Sequence, residues 1–360
     1  MKDLEKNELF KNISALIEQS RLHIAKSVNT AMVYTYYGVG RYIVEYEQEG
    51  KDRAEYGKAL LENISEMLTA KFGNGWSVAN LRAMRQFYVS YSKTLTSGQQ
   101  ITKQNNDQRS ANSDNIVFNL PWTHYQILMR IENPLERNFY EVEATNGQWS
   151  KRYLQRQVAS SLFERVALSR NKEEVIKLAT QGQTIEKPDD IIKNPLVLEF
   201  CGLKPDESYN ETKLENSLIS KIQQFLMEMG KGFLFEARQK RFTFEEDNFF
   251  VDLVLYNRIL QCYVLVDLKT DKLTHQDLGQ MQMYVNYFDR YVKLDFEKPT
   301  IGILLCRTKN DALVELTLPK DANIYAQQYA LCLPNKQLLQ NKLQQWSNEF
   351  ETNTETRELL

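Results

Sequence analysis

Apolar positions recur at helical spacing from Leu4 to Tyr91. Leu9, Ile13, Leu16 and Ile17 form one stripe, and Leu60, Leu61, Ile64, Met67 and Leu68 form another, a period that predicts amphipathic helices. Gly73-Asn74-Gly75 interrupts the pattern, Ser77 is placed to cap the next helix, and Val78 to Val89 continues as that helix with Arg82 and Arg85 one turn apart. The expectation is helix, tight turn, helix. From Thr94 to Asn115 apolar residues give way to Ser, Thr, Gln, Asn and Asp. Such a tract cannot repay the entropy of ordering itself and reads as a flexible loop. Periodicity returns at Pro121-Trp122-Thr123-His124-Tyr125, where Thr123 is a candidate cap for a helix carrying Ile127, Leu128 and Ile131. It continues beyond Ser150, a second candidate cap, from Lys151 to Arg170.

The second half has a different rhythm. Pro188, Pro195 and Pro205 punctuate the stretch after Gln181, with Leu196-Val197-Leu198 as its apolar island, and this reads as a linker. A helix from Leu214 to Met229 comes next, with Leu218, Ile222, Phe225 and Met229 on one face. Apolar runs of strand type then occupy 233–244, 249–256, 262–269 and 300–306, with a helix from Gln276 to Phe288 between the last two. Helix, three strands, helix, strand describes an α/β domain. Past Pro334, Leu338, Leu339, Leu343 and Trp346 make a last amphipathic helix. The organisation expected is a mainly α-helical N-terminal domain over 1–180, a linker over 181–212, an α/β domain over 213–333, and a helix and tail over 334–360.

Composition narrows the partners. A chain of 360 residues is long for one core and ample for two, and a formal net charge of −2 gives no general affinity for polyanions. Any nucleic-acid surface is therefore a local patch. No apolar stretch approaches the roughly 20 residues that cross a bilayer, and Met-Lys-Asp-Leu-Glu-Lys lacks the apolar run of a signal peptide. A membrane partner is not expected, and the location expected is cytoplasmic. Cys201, Cys262, Cys306 and Cys332 lie far apart among apolar neighbours and read as small buried hydrophobes. With three histidines in all, a structural zinc site is not expected. His124 and Trp122 read as interior residues, and His275 as a surface one.

The candidate chemistry sits in two strands, Phe-Phe-Val-Asp-Leu-Val-Leu-Tyr at 249–256 and Tyr-Val-Leu-Val-Asp-Leu-Lys-Thr at 263–270. A carboxylate in such a run costs several kcal/mol, roughly, unless it is paired or holds a metal. Side chains alternate along a strand, so Asp267 and Lys269 share a side. Asp252 precedes Asp267 by a distance suited to two antiparallel strands joined near Asn257 to Leu260, which brings the carboxylates together. Like charges that close call for a cation. Mg²⁺, with Mn²⁺ as its substitute, is hard, takes a couple of carboxylates plus waters, and leaves room for phosphate oxygens. It would polarise a phosphodiester and acidify a bound water, which Lys269 would orient or deprotonate.

Asp252 followed by Asp267-Leu268-Lys269 resembles the motif of the PD-(D/E)xK phosphodiesterase superfamily of restriction-type nucleases. The resemblance implies a restriction-endonuclease-like α/β domain with a central mixed sheet flanked by helices. It assigns the metal to Asp252, Asp267 and the carbonyl of Leu268, and the attacking water to Lys269. An upstream helical glutamate often completes the family's site, and Glu215 in Lys-Leu-Glu-Asn-Ser-Leu fits; an acid in a first helical turn also suits the helix dipole. Some branches add Gln-x-x-x-Tyr on the next helix, matched by Gln280 and Tyr284 on one helical face. More narrowly, the chain resembles the YhcG-type nucleases. Its landmarks are Tyr56-Gly57-Lys58-Ala59-Leu60-Leu61, Leu81-Arg82-Ala83-Met84-Arg85-Gln86-Phe87-Tyr88, Trp122-Thr123-His124-Tyr125 and Pro195-Leu196-Val197-Leu198-Glu199-Phe200. One departure is Asp267, where relatives often carry Glu, a methylene longer.

The resemblance implies a Mg²⁺-dependent endonuclease acting on DNA, with RNA as the other candidate substrate. Arg238, Lys240 and Arg241 make a basic cluster ahead of the Asp252 strand, suited to phosphate contacts, as Tyr284 is to a nearby strand. Arg82 and Arg85 are candidates for a recognition helix, and Lys151, Arg152 and Arg156 for further backbone contacts. The alternatives are a catalytically silent DNA-binding protein and a protein-interaction subunit of a restriction, defence or DNA-repair complex. A homo-oligomer is a further candidate assembly. A lone Asp-x-Lys on a strand is more often a salt bridge than a site; the ordered combination is what carries the reading.

Overall fold

In the computed structural model, residues 2–49, 54–96, 116–168, 172–204, 208–244, 246–309, 311–319 and 322–344 are described. They divide into two compact units, Met1–Gln155 and Arg156–Leu360.

The first unit is helical, with α1 (Lys2–Glu49), α2 (Ala54–Phe72), α3 (Val78–Thr96), α4 (Trp122–Leu128), α5 (Pro134–Asn146) and the start of α6 (Lys151–Ala159). The turn between α2 and α3 needs φ values of 81° at Gly73 and 119° at Gly75, which glycine adopts without a Cβ penalty. Ser77 Oγ accepts the Asn80 N–H at 3.3 Å, so the expected cap and the order helix, tight turn, helix are present. α3 buries Leu81 and Met84 with Ile43 of α1 and Leu61 of α2. Phe87 packs 5.0 Å from both Phe118 and Tyr125. Inside this aromatic core the Tyr91 and Tyr125 hydroxyls donate to opposite oxygens of Glu141 at 2.9 and 2.8 Å. Burial holds the Glu141 carboxyl above its usual range despite those donors.

Several expectations need correction. Thr123 caps nothing: α4 opens directly after Pro121, whose extended conformation starts the helix without a side-chain cap. Within the α1 stripe Ile13, Leu16 and Ile17 are 48%, 64% and 49% exposed. His124 is interior, with Nε2 2.8 Å from the Trp149 carbonyl. The loop expected over 94–115 lies outside the described residues, save for 94–96, which end α3.

The second unit contains α7 (Leu162–Ala167), α8 (Lys172–Gln181), β1 (Leu196–Val197), α9 (Glu211–Ser220), α10 (Ile222–Met229), β2 (Phe233–Phe244), β3 (Asp247–Asn257), β4 (Cys262–Lys272), α11 (His275–Tyr291), β5 (Ile301–Thr308), α12 (Asp311–Thr317) and β6 (Ile324–Ala330). The helix read as continuous from 214 to 229 breaks at Lys221, after Ser217 and Ser220 have each bonded back to a carbonyl one turn earlier. Such back-bonding bends helices. The strands form one mixed sheet in the order β1-β6-β5-β4-β3-β2. The β2, β3 and β4 pairs are antiparallel, and the rest are parallel. Two strands escaped the sequence pattern: β6, whose apolar run is broken by Gln327-Gln328, and β1, two residues inside the proline-punctuated stretch.

Both faces of the sheet are covered, as parallel strands require. On one face α9 and α10 bury Leu214, Leu218, Phe225 and Met229 against Leu253, Leu255, Val264, Val266 and Ile303. On the other, α11 lays Leu278, Met281, Tyr284 and Phe288 over Val254, Leu265 and Leu304. α11 approaches β5 at Gly302, where a Cβ would stand 2.6 Å from Met281 Cγ. That missing side chain sets how deeply α11 seats.

A buried ion network fixes the first edge of the sheet. Glu228 Oε1 accepts Arg165 Nη1 at 2.6 Å and the Val197 N–H at 3.0 Å, and Oε2 accepts Arg156 Nη1 at 3.1 Å. Burial alone would raise the Glu228 carboxyl, but Arg165, Lys193 and Arg156 outweigh it and hold the group below its usual range. A helix over 336–344 lies near the end of the chain, and Gln340 Nε2 donates to Glu164 of α7 at 3.1 Å; Trp346 lies outside the described residues. Of the cysteines, Cys262 and Cys306 are buried as expected, Cys201 is half-buried and Cys332 is exposed, all as free thiols.

Candidate active site

The site forms where β3 and β4 part. Their paired register ends at Leu253↔Val266, so the next step places Asp252 across from Asp267. There the Asp252 side chain replaces the backbone ladder, Oδ2 accepting the Leu268 N–H at 2.8 Å. Asp267 is 4% exposed. Lys269, two residues on and on the same side of β4, brings Nζ to 2.8 Å from Asp267 Oδ2. This is an ion pair without hydrogen-bond alignment, and the buried Oδ2 has no aligned donor. Burial first and the Asp252 charge second push the Asp267 carboxyl up to about 7, against the pull of Lys269.

Lys269 is enclosed by acids. Besides Asp267, Asp277 Oδ1 is 3.7 Å away and Glu211 Oε1 3.9 Å. Burial alone would depress the ammonium, but Asp267, Glu211 and Asp277 overcome it and hold its pKa well above the usual lysine value. Lys269 is thus a charged donor. Such a donor suits the orientation of water or of a phosphate oxygen.

The helices bring in the rest. Asn210 caps α9 by accepting the Lys213 N–H at 2.9 Å, and Glu211 and Glu215, one turn apart, share a helix face. Glu215 is buried; Oε1 accepts Arg238 Nε at 2.6 Å and Oε2 accepts Gln239 Nε2 at 2.9 Å. Gln239 Nε2 also donates to Asp252 Oδ1 at 2.8 Å. At the start of α11 a capping box ties Thr274 to Asp277: Asp277 Oδ2 accepts both the Thr274 N–H at 2.8 Å and its hydroxyl at 2.7 Å, which leaves Oδ1 for Lys269. Gln280 donates to the Tyr284 hydroxyl. Tyr284 is 1% exposed and edge-on to Phe242 at 5.5 Å, a packing position, and burial followed by the Asp267 charge raises its pKa.

Asp252, Asp267, Leu268 and Lys269 therefore come together, with Glu215 joined through Gln239. The basic candidates are spread differently. Arg238, from the basic cluster, pairs with Glu215 and donates to Asn216 Oδ1 at 2.7 Å. Lys240 lies 3.8 Å from Glu236, and Arg241 donates to Asn248 at 2.9 Å; both are exposed on β2. In the first unit Arg82 is exposed, and Arg85 is ion-paired with Glu47 at 2.6 Å. Arg156 belongs to the Glu228 network and also pairs with Glu199 at 2.9 Å, so it carries structure instead of phosphate.

Three participants were missed. Glu211 was legible as the residue one turn before Glu215, and Asp277 as the last position of a Thr-x-x-Asp capping box. Gln239 sits within a basic cluster, and only the register, with Arg238↔Leu253 and Lys240↔Val251 on either side, puts it across from Asp252. Among the described residues, no group of three or more His, Cys, Asp or Glu side chains is placed to hold a metal ion.

The family models agree with the two halves. Residues 12–165 match the DUF1016 N-terminal domain, and residues 189–344 match the YhcG PDDEXK nuclease domain. A curated protein of Escherichia coli (strain K12), "Putative nuclease YhcG", is 34% identical over 354 residues, covering 93% of each chain. Two solved structures are loosely similar. A repair endonuclease from Pyrococcus abyssi is 18% identical with a TM-score of 0.24, over 36% of this chain and 50% of its own. A complex of EndoMS with dsDNA is 15% identical with the same TM-score, over 37% and 50%. Identity sustained along nearly the whole length of the E. coli protein, with both domain models matched in order, decides the matter: the chain belongs to the YhcG family, and its C-terminal half is a PD-(D/E)xK nuclease domain.

Proposed function

We propose that this protein is a Mg²⁺-dependent nuclease that hydrolyses phosphodiester bonds of DNA. The observation that carries the reading is Asp267: a buried carboxylate set across from a second one, the two sharing the neighbourhood of the Lys269 ammonium, which lies 2.8 Å from Asp267 Oδ2. Two carboxylates that close, one of them buried, carry more negative charge than one ammonium offsets and are costly unless a further cation joins them. The donor set suits Mg²⁺, which takes one or two carboxylates, keeps waters and accepts phosphate oxygens. Asp252, Asp267 and the Leu268 carbonyl would hold it, and Mn²⁺ would substitute. The ion would supply a polarised phosphodiester and a bound water of lowered pKa.

The remaining roles belong to the chain. Asp252 is fixed in orientation by the Leu268 N–H and the Gln239 amide. Lys269, held charged, offers its ammonium to the attacking water or to a phosphate oxygen as negative charge develops. Its three acidic neighbours keep it in place until substrate arrives. Lys240 and Arg241, exposed on β2, would supply contacts to a phosphate backbone. The helical unit would position the substrate or a partner protein.

The test is incubation of purified full-length protein with supercoiled, linear, branched and single-stranded DNA and with RNA, in Mg²⁺, Mn²⁺ or EDTA, beside Asp267→Ala and Lys269→Ala. Cleavage of DNA that needs the ion and both side chains is expected. Cleavage surviving chelation and both substitutions would overturn the mechanism. DNA binding without cleavage under every condition would favour the catalytically silent alternative.

A further inference from the structure

Gln239 lies in the middle of β2 with φ at 47°, in the left-handed region that a residue bearing a Cβ enters only under strain. Arg238 and Lys240 keep one register on either side of it, while a separate bulge shifts the pairing earlier in β2, between Phe235 and Ala237. The effect of the positive φ is to aim the side chain. The amide nitrogen sends one hydrogen to Glu215 Oε2 and the other to Asp252 Oδ1, at 2.9 and 2.8 Å. Arg238 donates to the remaining oxygen of Glu215, and the Leu268 N–H to that of Asp252. All four carboxylate oxygens are thereby oriented, and a single nitrogen links an acid of α9 to an acid of β3.

The choice of an amide has chemical consequences. A lysine in this place would cancel the negative charge that attracts a cation, and a carboxylate would add repulsion. A carboxamide holds the two acids and leaves their charge intact. Strain retained beside reacting groups, where the surroundings over-determine it, is commonly part of pre-organisation.

We propose that Gln239 is a positioning residue of the cation site, clamping Asp252 to Glu215 so that Asp252 faces the ion it would share with Asp267. The inference rests on the metal-dependent reading above and concerns ion affinity, not the cleavage step. Partners that orient metal ligands typically change affinity by about 10- to 100-fold when removed.

The experiment is Mn²⁺ titration of the full-length protein, followed by the electron paramagnetic resonance signal of free Mn²⁺, for the parent, Gln239→Gly and Gln239→Ala. Glycine accepts the positive φ and lacks the amide, so it separates the backbone bend from the side chain. Both variants should bind Mn²⁺ about tenfold more weakly. Gln239→Gly should melt in EDTA no lower than the parent, and its cleavage should recover as Mn²⁺ is raised. Gln239→Ala gives the same affinity readout should the glycine variant fold poorly. Affinity within twofold of the parent in either folded variant would overturn the proposal, as would a cleavage defect that excess ion fails to restore. A parent that binds no Mn²⁺ would remove the metal reading and this role together. A parent that binds it as Gln239→Gly does would remove this role alone.

Discussion

Asp267→Asn should stabilise the protein in the absence of metal while abolishing cleavage. The Asp267 carboxyl is held at about 7 instead of its ordinary 3.8, because burial and Asp252 disfavour its charge more than Lys269 favours it. At about 1.36 kcal/mol per tenfold change in acidity, that difference amounts to roughly 4 kcal/mol. Between those pH values the folded state binds more protons than the unfolded one, so the contribution falls as pH rises and is fully lost above about 7. Asparagine keeps the shape and never ionises. The variant should therefore exceed the parent by up to about 4 kcal/mol at pH 8 in EDTA, and by only about 2 kcal/mol at pH 5, where much of the parent's penalty is absent. Guanidinium denaturation at both pH values, read by fluorescence and circular dichroism, measures it. Added Mg²⁺ should raise the parent's midpoint and leave the variant's unchanged. A variant no more stable than the parent at pH 8, or a gain as large at pH 5, would refute the claim that burial and Asp252 make this carboxylate's charge costly despite Lys269.

Lys269→Met should lower the cleavage rate by about 10²- to 10⁴-fold while DNA binding in EDTA stays close to that of the parent; a gel-shift assay beside a plasmid-cleavage assay separates the two. Glu228→Gln leaves Arg165 buried against a neutral partner and should cost about 3–5 kcal/mol. Because the Glu228 pKa is depressed on folding, its contribution is present above the ordinary carboxylate range and is lost as pH falls through the lower folded value. Denaturation across pH should show that acid-side slope in the parent and its reduction in the variant. Gly302→Val puts side-chain atoms where Met281 lies and should cost about 1–3 kcal/mol by overpacking. It should also reduce cleavage, because Gln280 and Tyr284 ride on the same helix; an unchanged melting temperature would contradict the close seating of α11.

The strands that build the site were legible because Asp252 and Asp267 interrupt runs of Val, Leu and Tyr whose period is unmistakable, and one antiparallel turn sufficed to set them opposite. Their surroundings were not. Gln239 reads locally as part of a basic surface, and its role depends on a left-handed backbone that nothing in Arg-Gln-Lys-Arg announces. Arg238 looked free for phosphate because its partner, Glu215, lies on a helix distant in sequence. β6 was hidden by Gln327, a buried polar side chain whose amide donates to the Lys193 carbonyl at 2.6 Å, an arrangement only the folded chain supplies. The α1 stripe predicted its helix, but apolar spacing does not say whether the face is covered, and Ile13, Leu16 and Ile17 are exposed.

The most direct test of the central claim is a crystal of the full-length protein soaked in Mn²⁺, with an anomalous difference map calculated around β3 and β4. The account predicts one strong peak bounded by the carboxylates of Asp252 and Asp267 and the carbonyl of Leu268, lost in Asp267→Asn. A map empty there at millimolar Mn²⁺, or a peak held by other residues, would contradict it.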